Sequence, residues 1–194
     1  MSASKTKILT AASELFAESG ANGLSVRAIS GRAGLSTIGI YNHFQGKQGI
    51  LDALYIEGFE LVMQAICITD DALAPRDALL LGLSNYIEMA ETHRGHYQLI
   101  FGRGDPNYSP SSCAIAVGET AFNRLTDLVT RAIPAELCGR KKREIALQLW
   151  ALAHGYVSLQ DHEATDLIPM AGWRDLILNA VTLHLDALIS KYSA

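Results

Sequence analysis

Apolar residues recur along this chain at intervals of three and four, and nowhere in the alternating pattern of a half-buried strand. Ile8, Ala11, Ala12, Leu15 and Phe16 share one face of a first helix, which Gly20 and Gly23 end. Ser25 is placed to cap a second, short helix from Val26 to about Ala33, and Gly34 stands where a tight turn needs positive φ. Ser36 then caps a third short helix, about Thr37 to Phe44, closed by Gln45 and Gly46. A long fourth helix is predicted from Lys47 to about Thr69, with Ile50, Leu51, Leu54, Phe59, Val62, Met63 and Ile66 as its apolar positions. Pro75 suits a helix N1 position, Ala78 to His93 reads as a fifth helix, and Tyr97 to Phe101 as a brief sixth. The segment GRGDPNYSPSS is a loop on its glycines and prolines. Three more amphipathic helices follow, at about Cys113 to Ala132, Arg140 to Glu163 and Gly172 to Tyr192. The pattern predicts an all-α fold of about nine helices.

Two short helices joined by a glycine-containing turn, SVRAISGRAGLSTIGIYNHFQGK, have the form of a helix-turn-helix that lays its second helix in the DNA major groove. Within that second helix Ile40 and Phe44 are four apart and can pack inward on Ile29 and Ala33. Thr37, Ile38, Gly39, Tyr41, Asn42 and His43 are left to face outward. Thr37 and Asn42 can hydrogen-bond base edges, Ile38 can meet a thymine methyl, and Gly39 lets the backbone come close. Tyr41 and His43 suit phosphates. Ser36, at the N-terminus of this helix, belongs to the same DNA-facing set. Lys47 opens a long helix against its dipole, and a phosphate gripped by Lys47 and the helix amides would offset that. Ser25 and Arg27, opening the second helix, could hold another phosphate.

Charge sharpens this reading. The formal net charge of the 194 residues is -4, from 16 Lys and Arg against 20 Asp and Glu. Residues 1–50 carry five cations against two anions, leaving eleven against eighteen for the remainder, so a mildly basic module precedes an acidic one. No stretch reaches the roughly 20 apolar residues of a membrane span, and the N-terminus lacks the order of a signal peptide, so the cytoplasm is the expected location. The 49% hydrophobic content is ample for a packed core. Cys67, Cys113 and Cys138 show no CxxC spacing and are expected to stay reduced.

The run ILTAASELFAESGANGLSVRAISGRAGLSTIGIYNHFQGKQGIL resembles the DNA-binding domain of the TetR family of regulators almost throughout. The shared features are the Ala-Ala-x-x-Leu-Phe face, the Gly before Leu-Ser-Val-Arg, the Ile-x-x-x-Ala-Gly-Leu-Ser turn, and Tyr-x-x-Phe followed by Lys. The resemblance implies a phosphate role for Ser25, Tyr41, His43 and Lys47, and base reading for Thr37, Ile38, Gly39 and Asn42. Many members carry other residues at the positions of Ile38, Gly39 and Gly46, so no relative's operator transfers to this chain.

Further along, LWALAHGYVSLQ is similar to the Trp-x-x-x-His-Gly signature of one group of TetR carboxy-terminal domains, in which the last two long helices build the dimer. The eighth helix is apolar on more than one face, which also calls for a second helical partner. Leu152, Gly155, Tyr156, Leu159, Leu176, Ala180, Leu183 and Ala187 are the candidate interface. The family plan further implies a small-molecule pocket among the carboxy-terminal helices. Phe59, Met63, Tyr86, Met89, Tyr97, Phe101, Phe122, Trp150 and His154, apolar bulk with a few polar tips, are its candidates.

The expected organisation is therefore a DNA-binding domain over residues 1–50 and a ligand-binding and dimerisation domain over 51–194. The expected function is a ligand-released, homodimeric repressor on a palindromic operator, with no cofactor, no metal and no catalysis. Two rival readings stand beside it. An enzyme would draw on His93 with His96, or on Asp161-His162-Glu163, but no GxSxG, HExxH or phosphate loop accompanies them. A helical interaction module without specific DNA binding would keep the fold and lose its use.

Overall fold

A computed structural model describes residues 2–101, 107–160 and 172–193. Among these residues the chain forms nine helices and no strand: α1 (Ala3–Gly23), α2 (Val26–Ala33), α3 (Thr37–Phe44), α4 (Lys47–Ala65), α5 (Pro75–Thr92), α6 (Arg94–Phe101), α7 (Ser112–Ala132), α8 (Gly139–Gln160) and α9 (Trp173–Ser193). The bounds of α2 and α3 are those the sequence predicts. The predicted end of α8, at Glu163, lies outside the described residues.

Three ends differ from expectation, the first being the start of α5, at Pro75 instead of Ala78. α4 stops at Ala65, four residues before Thr69, where the Cys67 N–H turns to the Gln64 carbonyl at 3.2 Å and the Asn85 amide caps the Ala65 carbonyl at 3.1 Å. Asp70 then organises a turn of its own, its carboxylate accepting from the Ala72 N–H at 2.9 Å. α6 begins at Arg94, three residues before Tyr97, and its Tyr97 N–H reaches back to the His93 carbonyl at 3.0 Å.

The helices gather into two compact units that divide the chain differently from a cut at residue 50. The first comprises residues 1–61 and 92–119, and the second residues 62–91 and 120–194. α4 and α7 each continue from one unit into the other, and α6 belongs to the first.

The core of the first unit is built by Ile8, Ala12 and Phe16 of α1, Ile29 of α2, Ile40 and Phe44 of α3, Ile50, Leu51 and Leu54 of α4, and Leu99 of α6. These are the apolar stripes read from the sequence, joined by a residue from a helix some fifty positions further on. Gly49 permits the tight entry into α4, since a Cβ there would collide with the Phe44 carbonyl.

Residues 107–111 strap onto α4. Asp52 Oδ1 accepts from the Tyr108 hydroxyl at 2.9 Å and from the Ser111 N–H at 3.0 Å, while the Gln48 amide donates to the Ser109 carbonyl at 2.9 Å. Burial pushes the Asp52 carboxyl up, but the hydrogen bonds from Ser111 and Tyr108 outweigh it and hold the group below its usual 3.8. A carboxyl whose pKa is lowered in the folded state stabilises that state above its unfolded pKa, and the contribution is lost as pH falls through the folded value. Tyr108→Phe is thus expected to cost about 1 kcal/mol at pH 7 and proportionally less at pH 3, read as urea unfolding at both values. Equal losses at the two values would show that the phenol does not act through the Asp52 charge.

In the second unit the buried stripes are Leu79, Leu83 and Ile87 of α5, Leu125, Leu128 and Val129 of α7, Ile145, Leu149 and Ala153 of α8, and Ile177, Val181 and Leu185 of α9. α8 and α9 pack on each other. Arg76 grips Asp186 with two bonds of 2.7 and 2.9 Å, and Arg174 donates to Ser84 Oγ at 3.1 Å and Glu88 Oε2 at 2.9 Å, so α5 and α9 are tied twice by polar contacts.

Candidate nucleic-acid interface

Local chemistry fixes the turn between α2 and α3. Ser25 Oγ accepts from the Ala28 N–H at 3.1 Å and Ser36 Oγ from the Gly39 N–H at 3.2 Å, so both predicted caps form. Gly34 sits between them in the left-handed conformation, φ 65°, where a side chain would be strained. α3 ends at Gln45, also left-handed at φ 59°, whose N–H bonds to the Tyr41 carbonyl at 3.0 Å.

Two residues hold α3 to the core, and the rest of it is displayed. Ile40 is fully buried and Phe44 nearly so. Ser36, Thr37, Ile38, Tyr41 and Asn42 are exposed, and Gly39 and His43 half-buried. Ile38 is 70% and Tyr41 56% exposed, although both are large and apolar in character. The Tyr41 ring is nonetheless steadied from one side, because the space beside Gly46 brings a would-be Cβ within 3.3 Å of Tyr41 Cε1. Ser25 and Arg27 are exposed at the start of α2.

Lys47 is half-buried, and its ammonium donates to the Ala21 carbonyl at 3.3 Å, across the end of α1. That contact gives the cation a favourable place at a helix C-terminus, which the sequence did not reveal. The Lys5 ammonium lies 5.8 Å from the centre of the Phe44 ring, at the end of α3, a neighbour that sequence spacing could not supply. Arg32 is held between Glu14 and Glu18 of α1, at 3.4 and 2.8 Å.

The nine pocket candidates fall into two groups. Phe59, Tyr97 and Phe101 stack in the first unit, Phe59 to Phe101 at 5.5 Å and Tyr97 to Phe101 at 5.1 Å, with Tyr55 5.0 Å from Phe59. Met63, Tyr86, Met89, Phe122, Trp150 and His154 belong to the second. There Trp150 lies 6.0 Å from Phe122 and 6.1 Å from His154, and its Nε1–H donates to the Tyr86 hydroxyl at 3.2 Å. Burial lowers the His154 pKa from its usual 6.5, favouring the neutral imidazole.

Of the interface candidates, Leu159 is 51% and Leu183 72% exposed, and Ala187 is exposed. Leu152, Gly155, Tyr156, Leu176 and Ala180 are half-buried, and a Cβ at Gly155 would meet open space. Leu147, half exposed, adds to this apolar surface on α8.

Among the described residues, the His93–His96 pair does not gather into a reactive centre. The His93 and His96 rings stand 6.1 Å apart, but both nitrogens of His96 face Ser13 and Glu57. Asp161, His162 and Glu163 lie outside those residues.

Comparison with known proteins matches residues 8–54 to the family model of bacterial regulatory proteins of the tetR family, and residues 81–175 to the tetracyclin repressor-like C-terminal domain. No curated protein sequence matches significantly. Among solved structures, a protein of unknown function from Rhodococcus sp. RHA1 is similar over 97% of both chains, with TM-score 0.77 and 23% identity. The fatty acid degradation regulator FadR from Bacillus halodurans is similar over 97% of both chains, with TM-score 0.76 and 17% identity. The TetR family transcriptional regulator PfmR from Thermus thermophilus is similar over 92% of this chain and 97% of its own, with TM-score 0.68 and 19% identity. These likenesses establish the shared fold. With a family helix-turn-helix at one end and a family carboxy-terminal domain over much of the rest, the chain belongs to the TetR family of bacterial transcriptional regulators.

Proposed function

We infer that the protein is a cytoplasmic, homodimeric repressor that binds a near-palindromic operator through residues 1–50 and is released by a small, mostly apolar effector sensed within residues 51–194. The observation that carries the DNA-binding part is the display of α3. Ile40 and Phe44 anchor the helix while Thr37, Ile38, Tyr41 and Asn42 stand out from it, two of them large side chains that an isolated module would be expected to cover. Thr37, Ile38, Gly39 and Asn42 read bases. Ser25, Arg27, Tyr41, His43 and Lys47 hold phosphates, and Ser36 fixes the start of the reading helix.

Dimerisation follows from both DNA and protein. One helix of eight residues reads only a few base pairs, and two of them about a helical turn apart supply useful specificity. The exposed leucines of α8 and α9, with the open space at Gly155, favour these helices as the interface. Trp150, His154 and Gly155 are also the residues that carry the likeness to the Trp-His-Gly group.

Release requires that the effector bind the non-operator state more tightly, by about 1–3 kcal/mol of coupling, and operator must then weaken effector by the same factor. α4 and α7, each continuous from the first unit into the second, are covalent routes for that coupling. Selection from a random duplex pool tests the reading directly. Enrichment of a palindrome supports it, and no enrichment by folded protein would favour a helical interaction module instead.

A further inference from the structure

His96 joins three helices of the first unit through its two ring nitrogens. Nε2 lies 3.1 Å from Glu57 Oε2 on α4, and Nδ1 lies 3.2 Å from Ser13 Oγ on α1. The side chain is 11% exposed. A carboxylate only accepts, so Nε2 carries a proton toward Glu57, and in the neutral ring Nδ1 accepts from the Ser13 hydroxyl.

Beside this network α6 comes close to the α1 backbone at Gly95, and the Ile100 side chain comes close to the α4 backbone at Gly58. A Cβ at Gly95 would lie 2.7 Å from the Ser13 carbonyl oxygen, and one at Gly58 would lie 2.9 Å from Ile100 Cγ2. The glycines at these two positions let the helices approach closely, and closely packed helices have few alternative arrangements. Ser13 and His96 are 83 positions apart, so the bond is a tertiary constraint and not a by-product of local helix geometry.

We propose that His96, with Ser13 and Glu57, is a polar lock that fixes the helix-turn-helix to α4 and α6 and so sets the distance between the two recognition helices of the dimer. His96 is a positioning residue in this role and touches no DNA. The inference rests on the operator-binding reading above. Its signature is discrimination between operator spacings, because a loosened module would still read its half-site but would tolerate half-sites set at other distances.

The test compares wild type with His96→Ala, Glu57→Ala, the double variant and Glu57→Gln. Each is measured on the selected operator, on that operator with one base pair inserted at its centre, and on unrelated duplex. Unfolding midpoints identify the folded variants. Wild type should prefer the selected spacing on the order of tenfold or more. Each alanine variant should reduce that preference to within about threefold while binding unrelated duplex as wild type does, and the double variant should be no worse than either single. Glu57→Gln, which keeps an acceptor for Nε2–H, should retain the preference. Folded alanine variants with wild-type spacing preference, or a wild type indifferent to spacing, would overturn the lock while leaving operator binding intact. A wild type that selects no operator would overturn both readings. If His96→Ala does not fold, Glu57→Ala and Ser13→Ala carry the same comparison.

Discussion

Leu183→Asp is expected to convert the protein to a monomer and to weaken operator binding by about 10²–10⁴-fold. Leu183 is 72% exposed on α9, on the same helix face as the apolar positions Leu176, Ala180 and Ala187, and Leu147 and Leu159 are exposed on the packed partner helix α8. A leucine left to water on a helix already packed on α8 has no stabilising role within one chain. In a four-helix interface it would be central, and a carboxylate there would be desolvated without a partner in both copies at once. The affinity loss follows from linkage: the second half-site contact is intramolecular in a dimer and bimolecular in a monomer. Sedimentation and operator titration measure the two effects separately. Leu81→Asp, at a 42% exposed leucine of α5, is the control for surface charge alone. A Leu183→Asp protein that sediments as a dimer and binds operator normally would remove the α8–α9 face from consideration.

The second large effect separates holding DNA from reading it. Tyr41→Ala should weaken binding at least about tenfold on every duplex tested, since the phenol is assigned to a phosphate. Asn42→Ala should cost about 1–3 kcal/mol on the selected operator and little on variants altered at one position of each half-site. Both side chains are exposed on α3, so neither change disturbs the core of Ile40 and Phe44. Measured affinities across a set of single-base operator variants distinguish the outcomes. Uniform loss from both substitutions would sink the assignment of Asn42 to base reading.

Much of the local architecture was legible because its causes are local. Ser25, Gly34 and Ser36 fix the bounds of α2 and α3 by caps and a left-handed turn, all within twelve residues. Periodicity likewise identified the buried faces of α1 and α4. What it could not supply was partnership at a distance. Asn85 caps the end of α4 from twenty residues away, and Tyr108 reaches Asp52 across fifty-six. The same limit governs the aromatic residues. Phe59 and Met63 stand one turn apart on α4 and both look like pocket lining, yet they fall in different compact units. His93 and His96 have the spacing of a possible metal pair, whereas the chemistry of His96 is set by Ser13 and Glu57, which no local pattern links to it. Lys47 stood out for its position at the start of α4, and the carbonyl it meets belongs to α1.

The ion pairs of Arg32 bear on how the protein would respond to ionic strength. Its guanidinium donates two bonds to Glu18 and one to Glu14, so it neutralises carboxylates inside the module and is not spent on the polyanion. At most Lys5, Lys7, Arg27 and Lys47 then remain, among the five cations of residues 1–50, to displace condensed counterions. Each displaced phosphate charge contributes a slope of about 0.9 to the fall of log affinity with log salt, which caps the slope at ~3.6 per protomer. Selectivity in this module therefore leans on the uncharged reading face of α3 more than on bulk attraction, and competition from excess chromosomal DNA changes only modestly with salt.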